Sequence, residues 1–163
     1  MQVQELVARA ERIAVLLKGR RETIAVAESS TGGLIAAALL GVGGASSYFL
    51  GGAVVYTQTA RRALLDIPDS AMAGLRPSTE AYALLLGRTV RTRFGAAWSV
   101  AETGAAGPTG NRYGDAPGHA CIAVSGPVEA SITVQTGSSD REANMWAFAR
   151  RALELLESCL LRT

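Results

Sequence analysis

Residues Thr23 to Ala27 form a short, almost wholly apolar run. It breaks at once into Glu28-Ser29-Ser30-Thr31-Gly32-Gly33, and an alanine-rich stretch of helical composition then reaches Leu40. An apolar run of that length without alternation is what a buried strand gives, and such strands belong to sheets covered by helices. The junction that follows is a strand-to-helix turn, where hydroxyls and glycines gather beside backbone N–H groups that lack partners inside the helix. It is a place for chemistry or for an anion.

The remaining chain repeats the alternation. Leu6, Val7, Ala10, Ile13, Ala14, Leu16 and Leu17 recur at helical spacing between Val3 and Gly19. Phe49 to Thr57 reads as a second strand, Thr59 to Leu65 as a short helix stopping near Pro68, and Asp69 to Pro77 as a loop with a turn of helix. Ser78, Thr79 and Glu80 begin a longer helix that reaches about Arg93 and ends at Gly95. A strand follows at Ala97 to Glu102, and then a long glycine-rich loop from Thr103 to Gly118. His119 to Ser125 and Ala130 to Thr136 pair as a hairpin across Gly126-Pro127, and a helix from Asp140 to Leu161 follows. This order predicts one domain over residues 1–163, an α/β fold built as a three-layer α/β/α sandwich on a mixed sheet. Its functional loops converge at the carboxyl ends of the parallel strands: the Glu28 to Gly33 turn, the segment after Tyr56 and the glycine loop after Glu102.

Several function classes are disfavoured. A net charge of +2 spread along the chain does not call for nucleic acid as a partner. No uninterrupted apolar run of about 18 residues occurs, and the N-terminus lacks a basic segment followed by an apolar one, so a soluble, cytoplasmic protein is expected with no membrane association. Cys121 and Cys159 lie far apart in apolar contexts, which suits buried free thiols better than a disulfide or a metal cluster. The loop Thr103-Gly104-Ala105-Ala106-Gly107-Pro108-Thr109-Gly110 lacks the Gly-Lys-Ser/Thr ending of a phosphate-binding loop, and no GxGxxG fingerprint is present.

Ser29, Ser30 and Thr31 admit two roles, helix cap or nucleophile, while Gly32 and Gly33 let a ligand approach the backbone. His119 is the only histidine and the only imidazole available for a Ser-His arrangement. Lys18 is the only lysine.

Taken together, Ala27-Glu28-Ser29-Ser30-Thr31-Gly32-Gly33, Gly44-Ala45-Ser46-Ser47-Tyr48-Phe49 with Gly51-Gly52 and Tyr56, and Thr103-Gly104-Ala105-Ala106-Gly107-Pro108 with Gly118 resemble the C-terminal domain of the competence-damage CinA family. Stand-alone members are nicotinamide mononucleotide amidohydrolases. The resemblance implies a three-layer domain with a mixed five-stranded sheet, often a homo-oligomer. It implies release of ammonia from the carboxamide of a pyridine nucleotide, with no cofactor or metal. Carried over by position, Ser29 is the candidate nucleophile and Thr31, Gly32 and Gly33 line the site beside Glu28 and Ser30. Tyr56 and Thr103 supply polar contacts, Gly104, Gly107 and Pro108 shape the pocket, and Arg141 is a phosphate partner.

The chain departs from the family pattern at several places. Where the family runs Ser-Asn-x-Ala-Lys after the tyrosine, this chain has Thr57-Gln58-Thr59-Ala60-Arg61. A guanidinium cannot replace a lysine as a base, although it can hold a phosphate or an oxyanion. Glu102 stands where a small or apolar residue is usual, Gly74-Leu75-Arg76-Pro77-Ser78 replaces a GAVS segment, Met145-Trp146 replace basic residues, and His119 occupies a threonine position. Glu102, Tyr56 and His119 are the candidate bases for Ser29. The alternatives to an amidohydrolase are a catalytically impaired nucleotide-binding module and a hydrolase for another amide or ester using His119.

Overall fold

The structure, a computed structural model, describes residues 2–163. In chain order the elements are α1 (Gln2–Arg20), β1 (Ile24–Glu28), α2 (Leu34–Leu40), β2 (Phe49–Val54), α3 (Gln58–Leu65), α4 (Glu80–Phe94), β3 (Trp98–Ala105), β4 (His119–Ser125), β5 (Ala130–Gln135) and α5 (Arg141–Leu161). Single 3-10 turns lie at Ala45–Ser47 and Asp69–Met72. The five strands form one sheet in the order β2-β1-β3-β4-β5. β1 is parallel to both β2 and β3, while β3 to β4 and β4 to β5 are antiparallel. The sheet is mixed, and helices cover both faces.

All five residues of β1 are buried, which is why its sequence shows no alternation. On one face Ile24, Val26, Trp98, Val100, Ile122 and Val124 pack against the apolar sides of α1, α2 and α5. Outside that layer the α1–α5 seam is closed by Arg12 on Glu157 at 2.8 and 3.2 Å. On the other face the strands present small side chains, Ala25, Ala27, Ala101 and Ala123, so α4 can lie close. Gly87 of α4 marks that approach: its carbonyl accepts a hydrogen bond from Ser99 Oγ at 2.6 Å, and a Cβ there would meet the same oxygen at 3.3 Å.

The helix ends follow the sequence signals. Thr79 and Asp140 accept from the backbone N–H groups three residues on, and Gly95 ends α4 in the left-handed conformation. Two strand ends differ from expectation: β2 stops at Val54 and not at Thr57, which instead caps α3. β3 continues past Glu102 to Ala105, because Thr103, Gly104 and Ala105 pair with Cys121, Ala120 and His119. The glycine-rich loop therefore begins at Ala106 and not at Thr103. Gly104 makes this possible, since a Cβ there would stand 2.6 Å from the His119 carbonyl oxygen and 2.8 Å from Ala120 Cβ.

Candidate active site

The turn after β1 is held by two buried carboxylates. Glu28 ends β1 and reaches forward: Oε1 accepts from Ile35 N at 2.9 Å and from Thr31 Oγ1 at 2.7 Å, and Oε2 accepts from Ala36 N at 3.0 Å. Two of the orphan donors in the first turn of α2 are thus satisfied by a glutamate six residues before the helix begins, and the Leu34 N–H goes to the Thr31 carbonyl at 3.2 Å. This corrects the cap reading of the hydroxyls. Ser29, Ser30 and Thr31 lie ahead of α2, and its N-cap, Gly33, makes no side-chain cap. Gly32 and Gly33 both have positive φ, 63° and 106°, which glycine adopts without a Cβ clash.

Glu102 reaches the same turn from β3. Its Oε2 accepts from the backbone N–H groups of Ser29 and Thr31, each at 3.0 Å, and stands 2.9 Å from Thr31 Oγ1, while Ser30 Oγ donates to Oε1. Burial pushes the Glu102 carboxyl above its ordinary range, and the hydrogen bonds from Ser30, Thr31 and Ser29 oppose that shift. Thr31 Oγ1 lies within reach of both glutamates but carries a single hydrogen, so it donates to only one of them at a time. Neither glutamate forms an ion pair among the described residues.

Above the turn opens a cavity of about 520 Å³, lined by Ser29, Tyr56, Arg61, Ser78, Tyr82 and Thr103 together with the 55–59 segment, Pro77, Gly104 and the Asn111-Arg112-Tyr113 part of the glycine loop. Two arginines line it and no carboxylate does. Arg61, on the first turn of α3, is buried. Its Nη1 is 3.5 Å from Tyr82 Oη, its Nη2 is 3.6 Å from Asp69, and its Nε–H has no partner. Lys18 is elsewhere and donates to the Gly43 carbonyl at 2.7 Å.

Ser78 is a non-glycine residue with φ 61°, held in place from both sides. Its N–H donates to Thr103 Oγ1 at 3.1 Å, and its carbonyl accepts from His119 Nε2 at 2.8 Å. The other ring nitrogen, Nδ1, faces the Gln135 amide nitrogen at 2.7 Å, which assigns the proton to Nε2. His119 is therefore committed to the backbone of Ser78, and it is not among the residues lining the cavity. Left-handed backbone in a serine beside a cavity is a strained feature of the kind that gathers at functional sites.

Tyr56 lines the cavity beside Ser29, and its Oη accepts from Arg141 Nη2 at 3.2 Å. Arg141 also donates to the Gly107 carbonyl, so it ties the start of α5 to the glycine loop and to the segment after β2. Gly107 is fixed there, where a Cβ would stand 2.7 Å from the Ser139 carbonyl oxygen. Gly107, Pro108 and Arg141 lie outside the cavity lining. The structure thus brings Ser29, Tyr56, Arg61, Thr103 and Gly104 to one cavity, puts Glu28, Ser30, Thr31 and Glu102 behind it as a frame, and places His119 in support. Sequence reasoning met Ser78 only as a helix start and as the end of the Gly74-Leu75-Arg76-Pro77-Ser78 departure, and it missed Tyr82, Arg112 and Tyr113. Arg112 and Tyr113 carried one signal, a cation and an aromatic inside a long glycine-rich loop.

Residues 7–160 match the model of the CinA C-terminal domain. A CinA-like protein from Salinibacter ruber is 36% identical over 138 residues, covering 85% of this chain and 34% of that protein. A CinA-like protein from Prochlorococcus marinus is 40% identical over 112 residues, covering 69% of this chain and 26% of the other. The chain spans about a quarter to a third of the length of these curated relatives. Among solved structures, a competence-damaged protein (CinA) superfamily protein from Klebsiella pneumoniae superposes with a TM-score of 0.89 at 26% identity, covering 97% of this chain and 99% of that one. The competence/damage inducible protein CihA from Agrobacterium tumefaciens does so with a TM-score of 0.86 at 29% identity, covering 98% and 96%.

Proposed function

The chain belongs to the CinA C-terminal domain family, and on that footing we propose that it is an amidohydrolase of the nicotinamide mononucleotide deamidase type, with Ser29 as nucleophile. The observation that carries the reading is the placement of Ser29: it lines the 520 Å³ cavity while Glu102 pins its backbone N–H from behind. A cavity of that size suits a mononucleotide, and a hydroxyl on a fixed backbone loses little orientational freedom on the way to attack.

In this reading Ser29 Oγ attacks the carboxamide carbon and its proton passes to a base. The amide nitrogen, protonated, leaves as ammonia, and water then cleaves the acyl-serine ester to give the carboxylate. Of the three candidate bases, Tyr56 alone lines the cavity with Ser29. Glu102 is engaged by donors of the turn, and His119 is engaged by Ser78 and Gln135. In this reading the oxyanion donor is a side chain and not an amide at the start of α2. Ile35 N and Ala36 N at the start of α2 are taken by Glu28, whereas Thr103 Oγ1 only accepts from Ser78 N and keeps its own O–H free to donate. The substrate is a small molecule; homo-oligomerisation is proposed with the family.

Arg61 favours one second reading, a nucleotide-binding module with impaired turnover, because it lines the cavity in place of a lysine and a guanidinium takes no proton from a serine. An ammonia-release assay on nicotinamide mononucleotide, with nicotinate mononucleotide identified as the second product, separates the two. Turnover by the natural sequence supports the amidohydrolase. Binding without turnover, with turnover gained in Arg61→Lys, supports the impaired module.

A further inference from the structure

The hydrolytic steps above leave Arg61 without a task. It is 4% exposed, and its Nε–H is unpartnered. Its remaining contacts are loose: Tyr82 Oη at 3.5 Å from Nη1, the Tyr82 ring with its centroid 5.9 Å from Cζ, and Asp69 at 3.6 Å from Nη2. Asp69 is itself 68% exposed in its side chain and is shared with Arg62 at 3.4 Å. An exposed, shared carboxylate at that distance is a weak partner. Guanidinium presents its donors as a planar fork, and one of them left buried and unmade is a standing cost. The cavity's other cation is Arg112, and with no carboxylate in the lining the field there favours an anion.

We propose that Arg61 anchors the phosphate of a phosphorylated small molecule of mononucleotide size, with Asp69 as the internal competitor that this phosphate displaces from Nη2. Two phosphate oxygens match the Nε and Nη2 donors of one fork, and that bidentate arrangement satisfies the orphaned Nε–H once the guanidinium, released from Asp69, turns its now buried Nε edge to the cavity. Asp69, exposed and screened by solvent, gives way to a dianion at little cost. The assignment rests on reading the cavity as a nucleotide site, and it holds with or without turnover.

Calorimetry on the full chain tests it with inorganic phosphate, nicotinamide mononucleotide and the unphosphorylated riboside. The mononucleotide is expected to bind at least about tenfold tighter than the riboside, a gap that a charge-assisted bidentate contact supplies. Arg61→Gln should close the gap, and Asp69→Asn should widen it. Asp69 is exposed, so that variant stays informative even if Arg61→Gln fails to fold, which circular dichroism reveals. Equal binding of mononucleotide and riboside to the natural sequence overturns the proposal, as does a gap that survives in folded Arg61→Gln or narrows in Asp69→Asn. Inorganic phosphate binding as tightly as the mononucleotide also overturns it, because the free ion is then the ligand. Phosphate-dependent binding through Arg61 with no ammonia released upholds the anchor and overturns the amidase. Ammonia released with equal efficiency from mononucleotide and riboside does the reverse.

Discussion

Glu102 Oε2 lies 3.0 Å from the backbone nitrogen of Ser29, so a carboxylate in the middle of the sheet fixes the residue that opens the turn after β1. The same oxygen takes the N–H of Thr31, which makes the carboxylate a clasp across the whole turn. Glu102→Ala takes the acceptor from both backbone donors, the buried Thr31 N–H and the half-buried Ser29 N–H. A loss of about 2–5 kcal/mol in unfolding free energy is expected, measured by urea denaturation, with any activity lost in parallel. A variant as stable as the natural protein would mean that the turn does not depend on the clasp.

The pH dependence follows from the direction of the Glu102 shift. Burial raises its pKa above the ordinary 4.5, so the folded state holds the proton more tightly than the unfolded chain. The associated stability is fully present below 4.5 and is lost as pH rises through the folded value. Glu102→Gln does not titrate, so its stability relative to the natural protein should improve from acid to neutral pH. Glu129 has the opposite sign: Arg88 holds it down to about 2, so its contribution is present above 4.5 and disappears as pH falls toward 2. Melting curves on Glu102→Gln and Glu129→Gln across this range check both signs, and a Glu102→Gln trend running the other way contradicts the assignment.

His119 and Ser78 lie 41 residues apart in sequence and meet through one hydrogen bond to a backbone carbonyl. His119→Ala should cost about 1–3 kcal/mol of stability, and activity should fall modestly through a displaced Ser78. A base lost from the reacting atoms would instead lower kcat by about 100-fold or more at unchanged stability. Measuring kcat beside a thermal melt separates the two roles.

Gly104→Ala brings a Cβ against the next strand's backbone, 2.6 Å from the His119 carbonyl oxygen. Overpacking between two backbones that cannot relax independently costs about 1–3 kcal/mol or more, and Tm should fall accordingly. An unchanged Tm would mean that β3 and β4 separate here without penalty.

Much of the fold was legible because it depends on local signals. The unbroken apolar run of β1, the Thr79 and Asp140 caps and the Gly95 stop each act within a few residues, and each appears where its residues indicate. The extension of β3 was not legible. Gly104 and Ala105 carry no strand preference of their own and are extended only because Ala120 and His119 pair with them. The site divides in the same way. Ser29 and the glycines announce a turn, but the residues that frame it act across 71 to 73 positions, from Glu102 to Thr31 and Ser29. A side-chain cap reaching from Glu28 to Ile35 lies outside the short spacings that sequence patterns record. His119 was misleading for a physical reason: a lone imidazole suits catalysis and backbone support equally, and only the groups around it, Ser78 and Gln135 with Asp115 at 3.7 Å, decide between them.

Ammonia release from nicotinamide mononucleotide by the natural sequence and by Ser29→Ala tests the central claim most directly. The expected result is one ammonia per nicotinate mononucleotide formed by the natural protein, with a loss of at least about 100-fold in the folded variant. No release by the natural protein, or equal release by both, would contradict the assignment of Ser29 as the nucleophile.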